Sequence, residues 1–171
     1  MPKYIALLRG INVGGNTILP MSDLKFICTD IGLKNVRTYI QSGNLIFESE
    51  LSEIKLKKKL EEALLVKRQK QIPVIIRTIQ EMETAIAGNP FPGAEPSQTG
   101  VMFFAEPVPR EISSSITTTG HEKTVISGRE IYIHYPAGMG RSKLKFPKIF
   151  QEGTVRNINT INKLIRLGKG R

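Results

Sequence analysis

The chain has 171 residues, 40% of them apolar, with a formal net charge of +10 and a single cysteine. That is enough apolar material for one mid-sized core or two small ones, and no run approaches the roughly 18 apolar residues of a transmembrane helix. The N-terminal apolar run is too short for a secretory leader and Cys28 is the only cysteine, so no internal disulfide can form and a cytoplasmic protein is expected.

Residues 3–9, KYIALLR, form a continuous apolar run of the kind a strand buried on both faces shows. Residues 22–32 place Leu24, Ile27, Cys28 and Ile31 at helical spacing, with Ser22 positioned to cap the start and Gly32 to stop the helix. The stretch NVRTYIQSGNLIFES reads as two strands joined around Ser42, Gly43 and Asn44. Residues 52–69 predict a long amphipathic helix with Leu56, Leu60, Ala63 and Leu64 inward and Lys57, Lys58 and Lys59 as a solvated face. Residues 72–78 predict a fourth strand. The order strand, helix, strand, strand, helix, strand is the ferredoxin-like βαββαβ order, an antiparallel four-stranded sheet with both helices on one face.

TIQEMETAIAG predicts a further short helix, and the turn-rich NPFPGAEPSQTG marks the boundary. The expected organisation is α+β throughout: a ferredoxin-like domain over 1–88 and a smaller α+β domain over 98–171. In the second part, residues 101–106 predict a strand and residues 110–121 a short helix on Ile112 and Ile116. A second hairpin turns around Ser127 and Gly128, and residues 140–150 and 154–168 read as closing helical segments. The two Ser-Gly hairpins hint at a duplicated architecture.

The charge is uneven. Residues 136–171 hold nine Lys and Arg against one acid, whereas residues 71–135 are net acidic. A basic tail favours anionic partners, nucleic acid or phosphorylated small molecules. The loop RGINVGGNT matches the phosphate-binding G-x-x-x-x-G-K-[ST] spacing except that Asn16 stands where the lysine belongs, so nucleotide hydrolysis of that type is not expected. Two readings of the loop stay open. Its backbone N–H groups cradle an anion with help from Arg9 and Asn12, or its glycines only supply positive φ for a turn. A second glycine-rich loop, PAGMGRSKLK, offers Arg141, Ser142 and Lys143 at a helix start. On the last helix, Arg156, Asn159, Lys163 and Arg166 are spaced as one polar stripe suited to phosphate or base-edge contacts. Cys28 falls on an apolar helix face and reads as core. His121, His134 and one cysteine make no zinc pattern, and neither metal nor cofactor is expected.

YIALLRGINVGGN, VRTYIQSGNLIF, RSKL and TVRNINTINKL together resemble the bacterial family called domain of unknown function 1697. The resemblance implies a small cytosolic α+β protein with ferredoxin-like topology in its first half, and supplies no activity or catalytic residues. Its motifs fall on Arg9, Asn12, Gly14, Gly15, Arg37, Thr38, Tyr39, Ser42, Gly43, Asn44, Arg156 and Asn157. The expected anion-binding set is therefore Arg9, Asn12, Gly14, Gly15, Arg37, Ser42, Asn44, Arg141, Lys143, Arg156, Asn157 and Lys163, with nucleic acid as the leading ligand. The competing reading is an enzyme acting on a phosphorylated metabolite or nucleotide, with Arg9, Asn12, Arg37 and Arg156 converging between the halves and Tyr39 or Ser42 moving a proton. A protein-interaction or structural role is the third.

Overall fold

The computed structural model describes residues 1–12, 18–40, 43–116, 121–139 and 153–170. The chain divides into two compact units, Met1–Met82 together with Leu164–Arg171, and Glu83–Lys163.

The first unit contains β1 (Lys3–Leu8), α1 (Met21–Asp30), β2 (Lys34–Tyr39), β3 (Asn44–Glu48), α2 (Glu53–Arg68) and β4 (Val74–Thr78). The sheet order is β2-β3-β1-β4 with every neighbouring pair antiparallel, which is the ferredoxin-like arrangement. β1 is an inner strand: Ile5 lies opposite Ile46 on one side and Arg77 on the other, and Ala6 opposite Leu45 and Ile76. Side chains alternate between faces. Ala6, Leu8, Leu45, Phe47, Val74 and Ile76 pack with Leu24, Ile27 and Cys28 of α1 and with Leu56, Leu60 and Leu64 of α2. Ile5, Leu7, Ile46 and Ile75 point to the opposite face and are buried as well. A strand buried on both sides is why the sequence there is apolar without alternation.

The helices follow their local signals, with two departures. α2 is capped by Ser52, whose Oγ accepts from Lys55 N, and ends at Gln69 in the left-handed region. α1 starts two residues earlier than Ser22 suggests: Pro20 is the cap residue, its carbonyl accepts from Asp23 N and Leu24 N, and Ser22 makes no capping bond. Proline presets the extended φ that a cap residue needs, so the hydroxyl is not required. Lys57 is not part of a solvated face. Its ammonium lies 2.7 Å from Glu61 and donates to Val74 O, while Lys58 and Lys59 are exposed.

The second unit contains β5 (Thr99–Phe103), β6 (Lys123–Ser127), β7 (Glu130–His134) and β8 (Thr154–Asn157), in the order β6-β7-β5-β8 and again antiparallel throughout. This is the order of the first sheet repeated. A 3-10 turn over Arg110–Ser115 occupies the chain position that α1 holds in the first unit. Met102, Phe104, Val108, Ile131, Ile133 and Tyr135 form its core.

Two helices, α3 (Ile79–Ala87) and α4 (Ile158–Gly168), each follow a fourth strand. The junctions share a pattern, Arg77-Thr78-Ile79 and Arg156-Asn157-Ile158, in which the arginine is buried and the next residue caps the helix. Thr78 and Glu81 exchange side-chain and backbone bonds as a capping box, and Asn157 Oδ1 accepts from Thr160 N. The expected helix over 154–168 is thus corrected: its first four residues are β8, because Thr154 and Val155 are β-branched and pair with Phe103 and Met102. Among the described residues no helix is long and apolar enough to cross a membrane.

The packing makes a differential prediction for α2. Leu60→Ala, at a fully buried site, should cost about 3 kcal/mol, whereas Ile54→Ala, at a residue 80% exposed on the same helix, should stay within about 0.5 kcal/mol. Urea denaturation of both variants checks this; equal losses would mean that α2 does not bury its Leu60 face.

Candidate functional site

β1 runs directly into residues 9–12, and hydrogen bonds fix where that loop lies. Leu8 N donates to Gly43 O at 2.9 Å, and Arg9 N to Pro73 O at 3.0 Å. Residues 9–12 therefore start beside Gly43, just before β3, at one end of the first sheet. The Asn12 side chain closes it: Nδ2 donates to Leu19 O at 2.9 Å and Oδ1 accepts from Leu19 N at 2.7 Å.

Backbone conformation at this end is unusual. Gly10, Asn12, Ile40 and Gly43 all have positive φ. For a β-branched residue such as Ile40, at φ 52, that costs on the order of 1–2 kcal/mol. Gly43 is needed for a second reason: a Cβ there would lie 2.6 Å from Ile11 Cδ1 and 3.0 Å from Leu8 Cβ. Asn44 is fully buried and donates to Tyr39 O at 2.8 Å, holding the turn from inside. Arg9 is half-buried where the loop begins, and Ile18 and Ile40 are exposed. This end carries one guanidinium and the backbone groups of residues in left-handed conformation.

The structure brings together Arg9, Asn12 and Asn44 of the expected set. Gly14, Gly15, Ser42, Arg141 and Lys143 lie outside the described residues. Arg37 is elsewhere, on β2 opposite Ile46, where it donates to Leu167 O at 3.3 Å. Arg156 belongs to β8, where it is buried and donates to Thr154 Oγ1 at 2.6 Å and Val155 O at 2.9 Å. Burial lowers its pKa to about 10, so it remains a cation at neutral pH. Asn157 is occupied as the cap of α4, and Lys163 is half-buried on that helix. The expected stripe of Arg156, Asn159, Lys163 and Arg166 does not exist as one surface, because the chain changes from strand to helix after Asn157.

Sequence reasoning passed over Lys3, Asn35 and Arg77. Arg77 had a readable signal, a lone charge in the apolar run VIIRT. Lys3 did not, since its bond to Gly168 O spans nearly the whole chain. Cys28 is buried and its thiol is pushed up to about 12 by desolvation, in keeping with a core residue. Among the described residues no cluster of His, Cys, Asp and Glu is arranged to hold a metal ion.

Gly43→Ala should destabilise the protein by about 2 kcal/mol or more, combining the left-handed penalty with the clash on Ile11 and Leu8. Gly128→Ala, also at positive φ but with nothing within 4 Å of its Cβ, should cost only about 1 kcal/mol. Thermal and urea unfolding of the pair test whether the contact with the β1 loop matters beyond φ alone.

The whole chain is similar in fold to the conserved bacterial protein SP0830 from Streptococcus pneumoniae, with a TM-score of 0.78 at 22% identity and 99% of each chain covered. Likeness at that identity concerns the fold. No curated protein matches the chain. Residues 1–132, which include the β1 loop and the β2–β3 turn, match the family described as "Protein of unknown function (DUF1697)", and the chain belongs to that family.

Proposed function

We propose that the protein is a binding protein for anionic, phosphate-bearing ligands and that it engages them at the loop end of its first unit. The observation carrying this is the convergence fixed by the Leu8–Gly43 hydrogen bond, which sets Arg9 and two left-handed turns side by side. Successive backbone N–H groups in such turns form concave anion sites. A guanidinium adds a charge-assisted hydrogen bond to a phosphate oxygen.

Binding rather than turnover fits the side chains present. The described residues of this end, 9–12, 18–20, 40 and 43–44, include no His, Cys, Asp or Glu to serve as acid, base or nucleophile. A compact ligand fits better than a long polyanion, because Arg156, which would have anchored a stripe for nucleic acid, is buried. The net charge of +10 nevertheless supports nucleic acid as a second reading.

One titration series separates them. Isothermal calorimetry with inorganic pyrophosphate and a nucleoside triphosphate should show saturable binding, weakened about tenfold by Arg9→Gln, the loss of one charge-assisted hydrogen bond. Anisotropy with labelled single-stranded RNA at two salt concentrations should show weak binding. An RNA affinity well above that of the nucleotide, with a steep salt slope, would shift the assignment to nucleic acid. Absence of binding in every arm overturns both.

A further inference from the structure

A pocket of about 260 Å³ lies in the first unit, away from the loop end, lined by Lys3, Asn35, Arg37, Ile46, Glu48 and the end of α4 at Leu167 and Gly168. Its geometry follows from the sheet register. Lys3 is directly opposite Glu48, and Arg37 directly opposite Ile46. Ile46 faces away from the α1 and α2 layer, and period-two alternation puts Lys3, Glu48 and Arg37 on that same face.

Two cations meet here without a carboxylate partner of their own. Lys3 Nζ donates to Gly168 O at 3.1 Å, and Arg37 Nη1 donates to Leu167 O at 3.3 Å. Both thereby complement the negative end of the α4 dipole. Among the described residues neither forms a salt bridge. Glu48, the nearest acid by register, instead accepts from the Asn35 amide. An ammonium has three donors and a guanidinium five. The α4 carbonyls use one of each, so most of the donor capacity of both side chains remains for something else. The rest of the lining includes apolar surface from Ile46, Phe47 and Leu167.

We propose that this pocket binds a small organic acid, its carboxylate held between Lys3 and Arg37 and its short apolar body against Ile46 and Leu167. The volume sits below the range of roughly 300–1,000 Å³ that takes drug-sized ligands, which limits the acid to a few carbon atoms. The planar fork of Arg37 matches a carboxylate in a way a second lysine would not. The ligand site is distinct from the loop end, because Lys3 and Arg9 stand at opposite ends of β1, about 20 Å apart along the strand.

The test is a two-dimensional NMR titration of the full chain with succinate and with inorganic phosphate, at constant ionic strength against sodium chloride. Succinate should give saturable shifts at the backbone amides of Gly168 and Gly170 and at the Arg37 side chain. Arg37→Lys keeps the charge but loses the fork, and should weaken succinate about tenfold, while Lys58→Ala on the exposed side of α2 should leave it unchanged. Shifts no larger than those in sodium chloride overturn the proposal on the wild-type protein alone, whatever the variants do to stability. Tighter binding of phosphate than of succinate, read at the Gly168 and Gly170 amides and the Arg37 side chain, overturns the assignment to an organic acid, whereas phosphate shifts confined to residues 9–12 report on the loop end alone.

Discussion

The burial of β1 on both of its faces is the constraint around which the first unit is arranged. Ile5, Ala6, Leu7 and Leu8 are at most 1% exposed, and the strand is paired on both edges. Four consecutive buried apolar side chains, three of them large and one a methyl, leave no freedom to slip: a shift of one residue would exchange the two faces and misfit both. The charged residues of this segment of chain are therefore left to its ends. Lys3 emerges at one end beside Glu48 and the last turn of α4, and Arg9 emerges at the other beside the β2–β3 turn. The two candidate binding regions are consequences of where a locked strand must release its chain.

The two units solve the same construction problem with the same order of strands, and each places an arginine at the end of its fourth strand. Arg77 is 2% exposed and Arg156 6%. Taking a guanidinium out of water is costly unless its donors are satisfied. Both side chains turn back onto the backbone of their own strand, Arg77 to Ile76 O and Arg156 to Val155 O. The residue that follows each one caps a helix. The arginine thus ties down the last strand residues at the point where the backbone must change from extended to helical, and the cap then satisfies the first N–H groups of the helix. That division of labour explains why a charged residue is retained at a buried site in both halves.

Elements encoded by local pattern were legible in the sequence. The apolar run of β1, the i, i+4 spacing of Leu56, Leu60 and Leu64, and the Ser-Gly turns each carry their own signal, and the ferredoxin-like order follows from them. β8 was not legible, because four residues of strand adjoin a strongly periodic helix and its β-branched residues read as part of that helix. The role of Pro20 in place of Ser22 was missed because a cap hydroxyl is a common signal and a proline's φ a quiet one. Lys57 was assigned to solvent because its partner Val74 O lies 17 residues on. At the loop end, the glycines and Asn12 each announced a turn. What could not be read was that Leu8 and Gly43 meet. The pocket at Lys3 was further from reach, since its wall comes from the opposite end of the chain.

The same distinction governs what the net charge means. A count of lysines and arginines treats each as a free surface cation. Here Arg77 and Arg156 are interior, Lys57 and Arg68 are paired with Glu61 and Asp23, and Lys3 and Arg37 face the end of a helix. Binding to a nucleic acid backbone grows with the number of separate phosphates neutralised, so it needs many cations along one surface. A small anion needs one or two cations that are already held in place, with the ordering cost met during folding. The two proposed sites at the ends of β1 are of the second kind. The proposal of small anionic ligands rather than a polyanion rests on the physical organisation of these charges more than on their number.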